Sequence, residues 1–577
     1  MKAKRYLLAL YISCMLCMAS LFSMNSLAQK IEVPLRFDHY YTYEQVNEAL
    51  RALNKAYPKM THLDLVGHSD EGREIWSITV NNPKTGLELS KPGLYLDGNI
   101  HGNEIQAGEV ALYYLNYILT NYEKNPRVTE MLDRTVTYCV PSVNVDGRYH
   151  FFHEINVISN TRGLRIAKDD DKDGLVDEDP MDDLDGDGNI TRMRKKVPFG
   201  DYRLDPNDSR IMIRVAEDEI GDYTLLGSEG IDNDNDGRIN EDGVGYIDPN
   251  RNWGFNWQPN YVEGGAGSYP LEGAGLKDLA QYLLDRPNIL MAWAFHNSGG
   301  MFLRGPTSKL AKEYDRRDTK VYDYLGAHAE KMVPGYKYMI SWKDLYTTWG
   351  DFGDYTDNVI GAFTLVGELF QSNTETYRKE TAKATPRDQR DQERMDFNDY
   401  LALGQMFVDW KPYKHPVYGD IEIGGWTKFT SRLPQPFMLM DLVHRNAMAV
   451  FHTVDQLPDI KIELMSKEEV EKDLYKIRIR LVNKKGISSN SYQSVRDKIH
   501  PQDQLILSGK KIKVLTGGRL TDEYNDLVSY KEHRPEIQFF YIPGFSHVEY
   551  QFLVKGKGKI KVEYKSLKAR NKTIEVN

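Results

Sequence analysis

The stretch that most constrains this chain is Lys91-Pro92-Gly93-Leu94-Tyr95-Leu96-Asp97-Gly98-Asn99-Ile100-His101-Gly102-Asn103-Glu104. Residues 94–96 read as a buried strand, and Asp97-Gly98-Asn99 ends it in a tight loop. That loop carries His101 and Glu104, close enough in sequence for both to face one point. A neutral His nitrogen and a Glu oxygen are good Zn²⁺ ligands, and a catalytic zinc takes three protein ligands and keeps one open position. A third ligand must therefore come from elsewhere. The end of a strand suits such a loop, because sites in α/β proteins lie at the carboxyl ends of strands.

Strands and helices alternate around this loop. Thr42-Tyr43-Glu44-Gln45 is a capping box, followed by Val46, Ala49, Leu50 and Leu53 at helical spacing. Residues 63–67, 75–80 and 136–141 read as strands, and 107–122 as a helix. This alternation argues for an α/β sheet with helices on its faces. Further on, 289–295 is a strand ending at His296, and 363–369 is an apolar run with Glu368 inside it. Burial disfavours a charged carboxylate, so Glu368 needs a neighbouring cation or a function.

From about residue 458 the pattern changes to short strands, at 474–482, 511–515 and 538–542. Val548, Tyr550, Phe552 and Val554 alternate, Gly556-Lys557-Gly558 turns, and Ile560, Val562 and Tyr564 alternate again, which reads as a hairpin. Residues 458–577 are expected to form an all-β, sandwich-like domain, with 416–457 as a connector.

The chain has 577 residues, too many for one ordinary core. Its net charge of -10 is uneven: segments 169–187 and 229–242 hold 17 acidic and 2 basic residues, leaving the remainder at +5. The acidity belongs to an insert, 165–245, and nothing points to nucleic-acid binding. Within it Asp169-x-Asp171-x-Asp173-Gly174 continues to Asp177 and Asp179, and Asp232-x-Asp234-x-Asp236-Gly237 continues to Asp242. Between them lies a partial copy, Asp183-x-Asp185-x-Asp187-Gly188. Alternate carboxylates can turn toward one cation, and the Gly allows the bend that a calcium loop needs. These loops resemble EF-hand-like or thrombospondin-type repeats, though without Glu at the twelfth position. Ca²⁺ is the expected structural ion; a solvated acidic loop is the alternative.

Lys2, Lys4 and Arg5, the mostly apolar 6–22 and Ser26-Leu27-Ala28 form a signal peptide over 1–28, with cleavage before Gln29. The protein is then secreted or periplasmic; an uncleaved anchor is the alternative. No later stretch is long and apolar enough to span a bilayer. The mature chain keeps Cys139 alone, so it has no internal disulfide, and the strand-like surroundings of that thiol make it a small buried hydrophobe.

Taken in order, His101-x-x-Glu104, Arg192-Met193-Arg194-Lys195, Asp248-x-Asn250-Arg251-Asn252-Trp253, His296, and Tyr346 with Glu368 resemble the M14 (carboxypeptidase A-like) zinc carboxypeptidases. The resemblance runs from about 38 to about 415, outside the insert, and implies a catalytic domain over 29–415 with a mixed central sheet flanked by helices. It implies that His101, Glu104 and His296 bind zinc and that Asp248 orients His101. It implies that Asn250 and Arg251 hold the substrate's terminal carboxylate and that Arg194 stabilises the charge developing on the scissile carbonyl. Tyr346 would close over the substrate, and Glu368 would be the general base. Gly353 falls where the family's specificity residue is expected, with Asp351 and Asp354 flanking it. The implied activity is removal of the C-terminal residue from a peptide or protein with a free C-terminus. A zinc amidase acting on peptidoglycan stem peptides and a non-catalytic calcium-dependent binding protein are the alternatives. No sequence feature specifies an oligomeric state.

Overall fold

The expected cap forms: the Thr42 hydroxyl accepts from Gln45 N, the Gln45 side chain accepts from Thr42 N, and helix Tyr43–Ala56 follows. This computed structural model describes residues 35–576 apart from 170–171, 373–386 and 431. The signal peptide expected over 1–28 and the expected calcium ligand Asp171 lie outside the described residues.

Eight strands make the central sheet: β1 (Thr61–His68), β2 (Glu74–Val80), β3 (Gly93–Gly98), β4 (Val136–Val140), β5 (Ile289–Asn297), β6 (Met301–Arg304), β7 (Lys337–Ile340) and β8 (Phe363–Leu369). Their order is β1-β2-β4-β3-β5-β8-β6-β7. The centre, β4-β3-β5-β8, is parallel. The β1-β2-β4 edge and the β8-β6 pair are antiparallel, so the sheet is mixed. Parallel strands are covered on both faces and read as continuous apolar runs; every residue of β5 is buried. Leu94, Leu96, Trp293 and Phe295 join one core with residues of helices Tyr43–Ala56, Gln106–Asn121 and Arg316–Met332. Tyr95, Ala292 and Ala294 face the other, under helix Ala274–Leu284. The carboxyl ends of β3, β5 and β8 therefore meet along one edge of the sheet.

Two expectations are corrected here. Residues 416–457 are not a connector. Strand Gly419–Trp426 pairs with Arg192–Gly200, and helix Leu439–Asp455 places Leu439, Val443, Ala447, Val450 and Val454 in the main core. Helical amphipathicity shows that a helix buries a face, but not against which sheet. Likewise, Ser546–Gly556 and Ile560–Lys565 are both strands but not a hairpin. The first pairs with Leu474–Asn483 and Ile512–Asp522; the second pairs with Asp503–Ser508 and Lys572–Val576. The chain crosses at 557–559 from a five-stranded sheet to a four-stranded one. Ile477, Ile479, Phe552, Val554, Leu505, Val562 and Tyr564 from both sheets share one core, so the C-terminal region is a β-sandwich.

This sandwich is docked onto the first unit. Lys568 is buried, and its ammonium donates to Ile289 O (2.7 Å), Ile360 O (2.7 Å) and Gly361 O (3.0 Å). Asp318 accepts from the amides of Tyr492 (2.7 Å) and Gln493 (2.8 Å).

The insert rises from an antiparallel stem, Leu164–Ile166 against Gly245–Ile247. It is more than acidic loop: Arg192–Gly200, Tyr202–Leu204, Met212–Arg214 and Gly221–Ser228 join Phe407–His415 and Gly419–Trp426 in a six-stranded sheet. Its three Asp-rich loops share one turn. In each, the first Asp accepts from the amide of the Gly five residues on: Asp169 from Gly174 (3.1 Å), Asp183 from Gly188 (2.9 Å) and Asp232 from Gly237 (3.1 Å). Those glycines have φ of +99°, +87° and +94°, the region that glycine enters without steric cost.

Candidate active site

The loop after β3 is shaped by Asn99, at φ 60°, whose amide donates to His101 O (2.8 Å) and Gly102 O (3.0 Å). Gly102 is required by close approach: a Cβ there would lie 2.2 Å from Thr161 O and 2.4 Å from Gly147 Cα. His101 and Glu104 are thereby buried side by side, with His101 Nδ1 3.1 Å from a Glu104 oxygen. His296, at the end of β5, brings its Nδ1 to 3.0 Å from the other Glu104 oxygen and 3.2 Å from His101 Nδ1. Two ring nitrogens and one carboxylate thus converge on one point. Two imidazole acceptors and a carboxylate cannot satisfy one another by hydrogen bonds alone, but they make a good donor set for zinc with one position left open. The residues fit that ion.

The residues behind the donors complete the fit. His101 Nε2 donates to Asp248 Oδ1 at 2.9 Å, the outer contact that a metal-binding imidazole usually has. Burial alone would raise the Asp248 carboxyl, but His101, Arg162 and Arg251 hold it well below the usual range. Burial would likewise lower the His296 imidazole, yet Glu104, Glu368 and Asp351 hold it up at about 9. Glu104 is depressed, because His101 and His296 outweigh its burial. So much negative potential around the imidazoles is what a divalent cation would neutralise.

Glu368 sits in β8 directly opposite His296 of β5, so the two side chains leave the sheet at one level and on one face. It is half-buried, and burial with the nearby Glu104 pushes its carboxyl up against the pull of His296, His101 and Arg432. Asp248 follows stem strand Gly245–Ile247, and the turn after it delivers Asn250 and Arg251 to the same cleft. Arg251 donates Nε to Glu263 (3.0 Å) and Nη1 to Asn250 O (2.8 Å). Asn250 donates to Asp351 (3.0 Å) and accepts from Phe352 N (2.9 Å). Tyr346 lies on the rim, exposed. Of the carboxylates flanking Gly353, Asp351 lines the cleft, whereas Asp354 is buried against Thr307.

Arg194 is the exception. It lies in strand Arg192–Gly200, ion-paired with Glu422 (2.8 Å) and stacked over Trp410 (4.2 Å) and Tyr223 (5.1 Å). It does not line the cleft that holds His101, Glu104 and His296. Two arginines not singled out from sequence do. Arg162, at the base of the insert stem, donates Nε to Asp248 (3.1 Å) and lies 3.5 Å from Glu104. Arg432 lies 3.7 Å from Glu104 and donates to Asn297 O (2.6 Å). Arg194 stood out because it belongs to a basic cluster; Arg162 is a single Arg between Thr161 and Gly163 with no local signal. A larger cavity, about 570 Å³, lies between the six-stranded sheet and helix Arg387–Tyr400, and none of His101, Glu104 and His296 lines it.

In the insert the described Asp residues divide into two roles. Asp173 groups with Glu178 and Asp234; Asp183 and Asp185 with Glu229; and Asp232 and Asp236 with Asp234, each with oxygens close enough to share a cation. Asp179 also groups with Asp234 and Glu241, but it ties the first loop to the last by accepting from Asn233 N (3.2 Å) and Asn240 N (2.8 Å). Asp169 and Asp187 hold backbone amides within their own loops, and Asp177 accepts from Gly245 N (3.2 Å) across the stem. Asp242 is buried nearby. Glu178 and Glu241 belong to the continuation of the first and last Asp repeats but were not named as ligands, and Glu229 falls outside the alternating Asp pattern.

Residues 46–173 match the zinc carboxypeptidase family (Peptidase_M14), and residues 459–577 match a domain of unknown function, DUF8731. Carboxypeptidase D of Homo sapiens is 39% identical over 109 residues, 19% of this chain and 8% of that protein. Carboxypeptidase M of Mus musculus is 30% identical over 118 residues, 20% of this chain and 27% of that protein. The similarity therefore spans under a third of each of these relatives. A crystal structure of carboxypeptidase A from Helicoverpa armigera aligns with a TM-score of 0.45 at 14% identity, over 75% of this chain and 78% of that one. Residues 46–173 are thus similar to the zinc carboxypeptidase family, and the relatives that match this chain are carboxypeptidases.

Proposed function

We propose that this protein is an exported zinc carboxypeptidase that removes the C-terminal residue from peptides or proteins. One observation carries the reading: His101, Glu104 and His296, the carboxylate of Glu368 and the Asn250–Arg251 pair line a single cleft. When bound, zinc acidifies a water and polarises the scissile carbonyl. Glu368 takes the proton of the attacking water and returns it to the leaving amine; its raised basicity suits both steps. Arg251 uses two of its five N–H groups on Glu263 and Asn250, which leaves donors for the substrate's terminal carboxylate. Asn250, fixed by Asp351 and Phe352, contributes beside it. Arg162 takes the role that the family resemblance implied for Arg194, stabilising the negative charge that develops at the carbonyl oxygen. Tyr346 closes over the substrate from the rim.

The signal-peptide pattern of 1–28 supports export to a periplasm or beyond, and no described helix is long and apolar enough to cross a membrane. We assign Ca²⁺ to the insert, held by Asp173, Asp183, Asp185, Asp232, Asp234 and Asp236 with the neighbouring glutamates. Burial and the facing Asp242 push Glu178 up to about 7, and burial and Asp179 do the same for Glu241, a charge excess that a cation relieves. Chelating Ca²⁺ with zinc retained should raise protease cleavage within 165–245; unchanged cleavage refutes the ion.

The activity is tested with one peptide in two forms, with a free or an amidated C-terminus, incubated with zinc-loaded protein. Release of a single C-terminal residue from the free form alone, abolished by a zinc chelator and restored by Zn²⁺, is the expected result. Equal cleavage of both forms, or none of either, overturns the reading.

A further inference from the structure

A metal-binding imidazole almost always donates its second ring N–H to an acceptor that fixes tautomer and orientation. His101 has that acceptor in Asp248. His296 does not: its Nδ1 faces Glu104 and His101, and its Nε2 is buried without a hydrogen-bond partner. The complementary orphan is Asp97. It is 1% exposed, and neither carboxylate oxygen has a hydrogen-bond partner. Water-free burial of an unpaired carboxylate is costly, so a retained one calls for a donor.

The sheet brings the two orphans together. Asp97 of β3 lies opposite Ala294 of β5, and His296 is two residues beyond Ala294. Asp97 and His296 therefore leave adjacent parallel strands on the same face, the face shared by Tyr95, Ala292 and Ala294. Asn297, next along β5, points to the opposite face and cannot serve. The Tyr95 hydroxyl and the His296 imidazole both lie close enough to act on the Asp97 carboxylate.

We propose that Asp97 is the positioning residue for His296, accepting from Nε2 directly or through one buried water and so keeping Nδ1 unprotonated and aimed at the metal. Each imidazole of the triad then has its own carboxylate behind it, Asp248 for His101 and Asp97 for His296. The inference rests on the reading of His101, Glu104 and His296 as a zinc site.

The test compares wild type, Asp97→Leu and Asp97→Asn. Zinc affinity is measured by competition with a chromophoric chelator, and kcat and KM are measured on the zinc-saturated proteins. Asp97→Leu should bind zinc about 10- to 100-fold more weakly. At saturation it should lose kcat with KM unchanged. Asp97→Asn keeps a carbonyl acceptor and should recover most of the affinity; weaker zinc binding by an Asp97→Leu whose urea midpoint matches wild type is what a merely structural role would not predict. Equal zinc affinity for wild type and a folded Asp97→Leu overturns the proposal. A wild type that binds no zinc overturns the underlying reading instead. Should Asp97→Leu not fold, a crystal structure of the zinc-loaded wild type decides: Asp97 within one water of His296 Nε2 supports the proposal, and any other acceptor on Nε2 refutes it.

Discussion

Replacing Arg162 with Met tests it against Arg194, the arginine that the family resemblance singled out. Arg162 reaches the cleft from the insert stem, donating Nε to Asp248 at 3.1 Å with Nη1 3.5 Å from Glu104. A donor aimed at the developing oxyanion contributes roughly 10²- to 10³-fold in kcat, or about 2.7–4 kcal/mol of barrier. Asp248 would still accept from His101 Nε2 and Asn250 N and would still lie beside Arg251. Zinc affinity should therefore fall by no more than about tenfold, the lower end for an outer contact. Arg194→Met instead removes a pair with Glu422 and stacking on Trp410 within the six-stranded sheet. That should cost about 1–3 kcal/mol of stability. The kcat should stay within about threefold of wild type, since no substrate-facing donor is lost. The assay is kcat and KM on one free-carboxylate peptide, with zinc content and the urea midpoint measured on the same samples. A collapse of kcat in Arg194→Met with Arg162→Met intact would refute the assignment.

Three further outcomes follow from the packing. Gly102→Ala should abolish zinc binding, because its Cβ would sit 2.2 Å from Thr161 O and must displace the loop that holds His101 and Glu104; metal content of the purified variant checks this. Burial pushes Asp503 up to about 6, against about 3.9 for the unfolded chain. The folded state then binds the extra proton between those values, so this group destabilises progressively as pH rises from about 4 to 6 and fully above 6. Asp503→Asn, which still accepts from Tyr564 OH, should flatten that slope in thermal melts and gain on the order of 2 kcal/mol at pH 7; an unchanged slope contradicts the reasoning. Lys568→Met removes the donor to three carbonyls between the two units and should cost about 1–3 kcal/mol, read from urea unfolding and from faster proteolysis of the sandwich; no measurable loss counts against the docking role.

Much of the site was legible because its pieces are local. The strand ending in His101-x-x-Glu104, the strand ending in His296 and the strand carrying Glu368 each announce themselves by an apolar run with a polar residue at its end or within it. The shared turn of the Asp-rich loops was equally visible, since a Gly at positive φ and an Asp that caps it are near neighbours in sequence. Asn99 carried a turn signal too, although its role in bracing the His101 carbonyl did not follow from it.

What the sequence by itself determined is which segments are strands, helices and turns, and which residue types each presents, because periodicity and turn chemistry act over a few residues. What only the tertiary structure decided is partnership. The strands after Ser546 and after Ile560 look like a hairpin, yet they join different sheets. Helix Leu439–Asp455 looks like a linker, yet it completes the main core. Arg162 rather than Arg194 lines the cleft with His101, Glu104 and His296. In each case the choice rests on contacts between residues far apart in the chain. Their energy comes from burying one face against another, and no local pattern says which face will be there to meet it.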